Sequence, residues 1–137
     1  MAIKSIFFSE FHYLTGPELV CQYPEHAIKD EIFKILSDYI IPKPELCGKL
    51  FSMRIGPFYM MGLPVEILNE KYERKALEFN CGIFVHNDDY TKENVPVCER
   101  ILRKLATYFT HLELEKHFLW RTDKKLTIAP LLKQLFE

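Results

Sequence analysis

The chain has 137 residues, 48% of them hydrophobic and 14% aromatic, which is the composition of a packed domain and not of a disordered segment. That length suits one domain able to bury about two-thirds of its unfolded-chain surface. Eighteen basic residues stand against 19 acidic ones, a net charge of −1 that offers no broad positive field to nucleic acid or anionic lipid.

Residues 3–11 are rich in β-formers and alternate weakly, so they read as a first strand. Gly16-Pro17 punctuates a turn, and residues 18–23, with Leu19, Val20 and Cys21, complete a hairpin. Pro24 and Glu25 open a helix whose apolar positions are Ile28, Ile32, Ile35, Leu36 and Tyr39, a stripe suited to lying on a sheet. Pro42 and Pro44 stop it.

Residues 50–55 and 58–67 then read as two strands joined around Gly56-Pro57, with Pro64 marking a bulge or an edge. Residues 76–85 are the fifth and most hydrophobic strand. A polar connection over 86–93 leads into a long amphipathic helix from about Asn94, whose apolar face is Val97, Cys98, Ile101, Leu102, Leu105, Phe109 and Leu112. A short final helix carries Ile128, Leu131, Leu132, Leu135 and Phe136. The order β-β-α-β-β-β-α-α predicts an α+β domain, a five-stranded, mainly antiparallel sheet with helices against it. Phe7, Phe8 and Phe11 are expected in its core, with Met60 and Met61 as core filler.

The four cysteines, at 21, 47, 81 and 98, form no Cys-x-x-Cys and sit among apolar neighbours, which predicts buried free thiols in a reducing, cytosolic setting. No apolar stretch approaches membrane-spanning length, so direct membrane insertion is not expected. The sequence holds no GxxxxGK-S/T phosphate loop, no GxGxxG, no GxSxG and no HExxH. His86-Asn87-Asp88-Asp89 lacks the glycine and distal glutamate of a calcium loop and reads as a solvated connection. No metal or cofactor site and no self-contained active site are expected. Trp120-Arg121 is a candidate interface element.

The most informative stretch is residues 70–85, EKYERKALEFNCGIFV, where a charged loop turns without a Gly or Pro break into the hydrophobic fifth strand. An arginine on such a loop is held by a rigid element yet free to reach outward. Taken as chemistry alone, Arg74 between Glu73 and Lys75 reads first as a solvated loop residue, the base expectation for an exposed arginine.

Four segments occur in order: IFFSEFHxxxGP over residues 6–17, Ile-Ile-x-Lys-Pro-Glu-Leu over 40–46, KYxRxALxFNxG over 71–82, and KLAxYFTxLELE over 104–115. Together they make the chain resemble the N-terminal region of the nitrogen permease regulator 2-like family. That resemblance implies a longin fold over residues 1–137, as the N-terminal fragment of a longer subunit.

The resemblance further implies a subunit of a GTPase-activating complex, GATOR (SEACIT), that acts on Rag-type GTPases and restrains TOR signalling in amino-acid scarcity. Its implied partners are a nitrogen permease regulator 3-like subunit, paired through longin domains, a DEP-domain scaffold subunit and the Rag GTPases. The implied location is cytoplasmic, with recruitment to the lysosomal or vacuolar surface. Arg74 is the implied arginine finger, supplied in trans, with Lys71, Tyr72 and Lys75 as candidate contacts to the GTPase, which itself carries GTP and magnesium. Longin domains also serve as non-catalytic adaptors in trafficking and exchange-factor complexes, and that alternative stands beside the first.

Overall fold

The computed structural model describes residues 2–12, 16–37, 44–68, 76–116 and 124–136. Five strands form one sheet: β1 (Ile3–His12), β2 (Gly16–Tyr23), β3 (Phe51–Ile55), β4 (Phe58–Leu68) and β5 (Ala76–His86). Their spatial order is β2-β1-β5-β4-β3, and every neighbouring pair is antiparallel. Three helices complete the fold: α1 (Asp30–Ser37), α2 (Asn94–Lys116) and α3 (Lys124–Phe136). This α+β arrangement agrees with the longin type.

The last strand to appear in sequence lies at the centre of the sheet. In β5, Phe79, Cys81, Ile83 and Val85 point to one face and Asn80, Gly82 and Phe84 to the other. The non-glycine residues among them are no more than 5% exposed. A strand buried on both faces needs a layer on each side. On the first face α2 contributes Cys98, Leu102, Leu105 and Phe109, and α3 contributes Ile128 and Leu132. On the second, Ile28 together with Phe33 and Leu36 of α1 closes over Phe7, Met60 and Phe84. Phe7, Phe33 and Phe84 pack with centroid distances of 5.3, 5.5 and 5.7 Å, and Phe8 meets Phe109 at 4.9 Å on the other side. These offset and edge-on contacts add about 0.5–1.5 kcal/mol each to plain burial.

Two glycines make room for rings lying across the sheet. Gly62 and Gly82 are cross-strand partners, and Phe7 is the partner of Gly82 on its other side. A Cβ on Gly82 would come within 2.1 Å of the Phe7 ring, and one on Gly62 within 2.6 Å of the Phe51 ring. Both aromatic rings are seated over backbone because no side chain stands there.

The first helix departs from the sequence reading. It starts at Asp30, not at Pro24, because the intervening residues are tied into a loop by Gln22. The buried Gln22 side chain donates to the Ile28 carbonyl at 2.9 Å and accepts from the Ile28 N–H at 3.1 Å, while the Ser5 hydroxyl donates to the same oxygen at 3.0 Å. Those bonds use the backbone groups of Ile28 that a helix would have claimed. The face α1 buries is accordingly Phe33 and Leu36, with Ile32 partly covered. Ile35 is 50% exposed, so it does not belong to the sheet-facing stripe. Tyr39 lies outside the described residues.

Pro64 occupies a local edge and no bulge. The β4–β5 register runs unbroken through it, while β3 ends its pairing at Phe51 with Gly62. Beyond that point the Gly48 N–H donates to the Pro64 carbonyl at 2.8 Å, and Arg103 of α2 donates to the Gly48 carbonyl at 3.2 Å. On α2 the apolar seam of Cys98, Leu102, Leu105 and Phe109 runs on to Glu113, which is fully buried, whereas Leu112 is only partly covered. Phe11 is half-buried. Of the four free thiols three are buried, and Cys47 is partly exposed.

Replacing Gly82 with Ala is expected to destabilise the domain by about 1–3 kcal/mol, because Phe7 must leave its place over the strand. The shift in the urea unfolding midpoint measures this, and Phe7→Leu in the Gly82→Ala background should recover part of the loss. The buried thiols give a pH dependence of definite sign. Burial pushes Cys21 from the ordinary 9.0 up to about 12 and Cys98 up to about 11, so the native state holds protons that the unfolded chain gives up. Their contribution is intact below pH 9.0 and is lost as pH climbs through the folded values. Urea midpoints measured across that window should fall, and less steeply in Cys21→Ala.

Candidate functional site

The β4–β5 pair is the longest in the sheet, with continuous register from Phe58 opposite His86 to Leu68 opposite Ala76. The chain between those last partners, residues 69–75, therefore begins and ends on the same pair of adjacent strands. Phe79, Asn80 and Cys81, a few residues beyond Ala76, are buried between the two layers, and Ile67 is buried on the opposing strand. Any force on the connection is resisted by the main-chain ladder of two strands and by the packing under them. Lys71, Tyr72, Arg74 and Lys75, the residues singled out from the sequence, all lie outside the described residues. What the structure describes is the neck from which they depart.

That neck is acidic. Glu66 and Glu78 are direct cross-strand partners, and both are half-buried. Like charges facing each other across an antiparallel pair repel. Cys47 follows the short 3-10 turn Pro44–Leu46, next to Gly48 where it bonds Pro64, and it lies within the field of the same carboxylates. Burial first, and then the charges of Glu66, Glu78 and Glu45, push its thiol above the ordinary value. Three glutamates from three separate elements thus converge beside one cysteine. The only trace of this in the sequence is that Glu66 and Glu78 stand equally far from Tyr72, a symmetry that becomes a contact once the hairpin register is known.

Asn80, two residues beyond Glu78, is 5% exposed, and neither its amide oxygen nor its amide nitrogen has a hydrogen-bond partner. An unpaired buried amide costs about 1–3 kcal/mol, so a desolvated dipole stands close under the acidic neck.

At the other end of the sheet, residues 86–89 form a capped 3-10 turn over Asn87–Asp89. The His86 Nδ1 accepts from the Asp88 N–H at 3.2 Å, and Tyr59 stacks on Tyr90 with centroids 4.0 Å apart. These contacts lead into α2, where the Asn94 N–H bonds the Thr91 hydroxyl at 3.2 Å. Among the described residues no group of three His, Cys, Asp or Glu side chains is placed to hold a metal ion, and no helix is long and apolar enough to cross a membrane. Lys43 and Trp120-Arg121 lie outside the described residues. Leu46 of the Lys-Pro-Glu-Leu element is 41% exposed.

The acidic neck makes a direct prediction. Glu66→Gln removes one of the charges that hold the Cys47 thiol up, so Cys47 should react a few-fold faster with iodoacetamide below its ordinary value of 9.0. An unchanged rate at Cys47, followed by mass spectrometry, would mean that the carboxylates do not act on this thiol.

Comparison with known proteins covers nearly the whole chain. Residues 1–133 match the family described as nitrogen permease regulator 2. The nitrogen permease regulator 2 homolog of Schizosaccharomyces pombe is 30% identical over 98% of this chain and 34% of its own length. The GATOR complex protein NPRL2 of Drosophila melanogaster is 33% identical over 90% of this chain and 29% of its own. Nitrogen permease regulator 2 of Saccharomyces cerevisiae is 32% identical over 89% of this chain and 20% of its own. The chain thus spans about a third or less of each of these relatives. With matched residues running from the first strand to the last helix, the chain belongs to the nitrogen permease regulator 2 family.

Proposed function

We propose that this chain is the N-terminal longin-type part of a regulatory subunit in a GATOR-type complex, and that it acts in trans on a Rag-type GTPase through Arg74. Family membership and the name of the Drosophila relative support the regulatory role. The resemblance of the KYxRxAL segment carries the reading to Arg74, and the observation that supports it is the β4–β5 register, which ties both ends of the connection over 69–75 to the centre of the sheet. The mechanism asks for little else from this domain. GTP hydrolysis spreads negative charge over the γ-phosphate and the leaving oxygen, and a planar guanidinium contacts both at once. The nucleotide and its magnesium belong to the GTPase. A finger delivered in this way is worth roughly 10³–10⁵ in rate, provided that its base does not yield on docking.

The acidic neck fits this role. In sequence Lys71, Arg74 and Lys75 lie between Glu66 and Glu78, so the cationic segment is flanked by carboxylates. In this reading a nitrogen permease regulator 3-like subunit pairs through a sheet edge, such as β3, or through the exposed side of the first helix, α1. There β3 has a strand on one side alone, and Ile35 stands 50% exposed. A DEP-domain scaffold subunit and recruitment to the lysosomal or vacuolar surface complete the proposal.

Single-turnover GTP hydrolysis by a Rag pair, stimulated by the assembled complex, tests it. Arg74→Ala and Arg74→Lys should each lose about 10³-fold or more of the stimulation while binding is retained, because Lys does not reproduce the planar fork. Undiminished stimulation would leave the domain as a non-catalytic platform for its partners.

A further inference from the structure

The outer side of α2 carries a groove that the fold does not fill. It has a volume of about 950 Å³ and runs between α2 and the end of α3, where Leu135 lines it. The α2 residues along it include Val97, Ile101, Lys104, Tyr108 and His111. Their spacing alternates four, three, four and three residues, the pattern of a seam that receives the side chains of another helix. The seam covers about 21 Å of helix at the standard rise. Ile101 and Leu135 pack inward against the core yet stay half-buried, as does Val97, and Tyr108 is 47% exposed, so the floor presents apolar surface to solvent.

The charge of this groove is one-sided. Arg100, Arg103, Lys104 and His111 line it, and among the described residues no acidic side chain does. Arg103 is paired with Glu99 at 2.8 Å, and His111 with Glu115 at 3.0 Å, each one turn away on the same helix. Arg100 and Lys104 are also one turn apart, have like charge, and have no carboxylate partner among the described residues. Like charges at that spacing weaken a helix unless something else answers them. In a chain whose net charge is −1, this is a local positive strip laid on an apolar seam.

We infer that this groove is the docking site for an acidic amphipathic helix of a partner protein. Its apolar stripe would fill the Val97–Ile101–Tyr108–Leu135 floor, and its carboxylates would face Arg100 and Lys104. The apolar seam favours a helix over an extended peptide, which would need an unpaired strand edge. The cations fix the sign of the partner's flanks and speed its approach.

The test uses the 137-residue chain and a fluorescent helical peptide of about five turns, with leucines at alternating three- and four-residue spacing and glutamates beside them. Fluorescence anisotropy should report saturable binding. Arg100→Glu/Lys104→Glu should weaken it at least about tenfold, and Tyr108→Ser should do the same. Lys29→Glu, remote on the surface, should leave binding unchanged. All four substituted positions are exposed, and circular dichroism checks that each variant folds. Four results would overturn the inference: no binding; equal binding by a peptide of the same composition with scrambled leucines; binding insensitive to the groove variants; or, in place of peptide binding, groove-dependent capture by phosphatidylserine vesicles, which would make the strip a membrane-facing surface.

Discussion

Everything in this fold follows from the double-sided burial of β5. Its residues from Phe79 to Val85 are withdrawn from water on both faces, with β1 and β4 bonded along its two sides. An antiparallel sheet commonly leaves one face to solvent, and here that option is closed. Apolar groups on both faces demand two helical layers, so α2 and α3 cover one side and α1 the other. The glycines belong to the same requirement. With Phe7 laid over Gly82 and Phe51 over Gly62, the second layer sits close against the sheet although α1 is short.

This constraint also gives the candidate site its mechanical character. The connection over 69–75 is the only link between β4 and β5, and those two strands share the longest ladder in the sheet. A guanidinium acting on another protein's nucleotide needs a base that does not give way when it is pushed into a charged pocket. The polar features near that base, the facing Glu66 and Glu78 and the unpaired Asn80 amide, are costly by stability criteria. They lie at the end of β5 nearest the connection over 69–75.

Much of the architecture was legible in the sequence because it rests on periodicity. The continuous apolar run of β5, the α2 seam from Cys98 to Phe109 and the Gly56-Pro57 hairpin each have a local signature, and the structure follows them. Local periodicity misplaced the start of α1, since nothing in residues 24–29 announces that the Gln22 side chain will bond both backbone groups of Ile28. For the same reason Phe33 went unrecognised and Ile35 was assigned inward. The convergence of Glu45, Glu66 and Glu78 on Cys47 depends on cross-strand register, which no single segment encodes. Arg74 is a different case. Its flanks are those of an ordinary solvated turn, and the family resemblance alone singled it out.

The central claim is that β5 forms, with β4, an unyielding base for the connection that precedes it. Native-state hydrogen exchange, read amide by amide under increasing urea, measures this directly. The account predicts that the ladder amides of β5 from Phe79 to Val85, with their β4 partners, exchange only through global unfolding and share its free energy and urea dependence. Exchange of the Phe79–Cys81 amides through a local opening of much lower free energy, with the rest of the sheet intact, would contradict it.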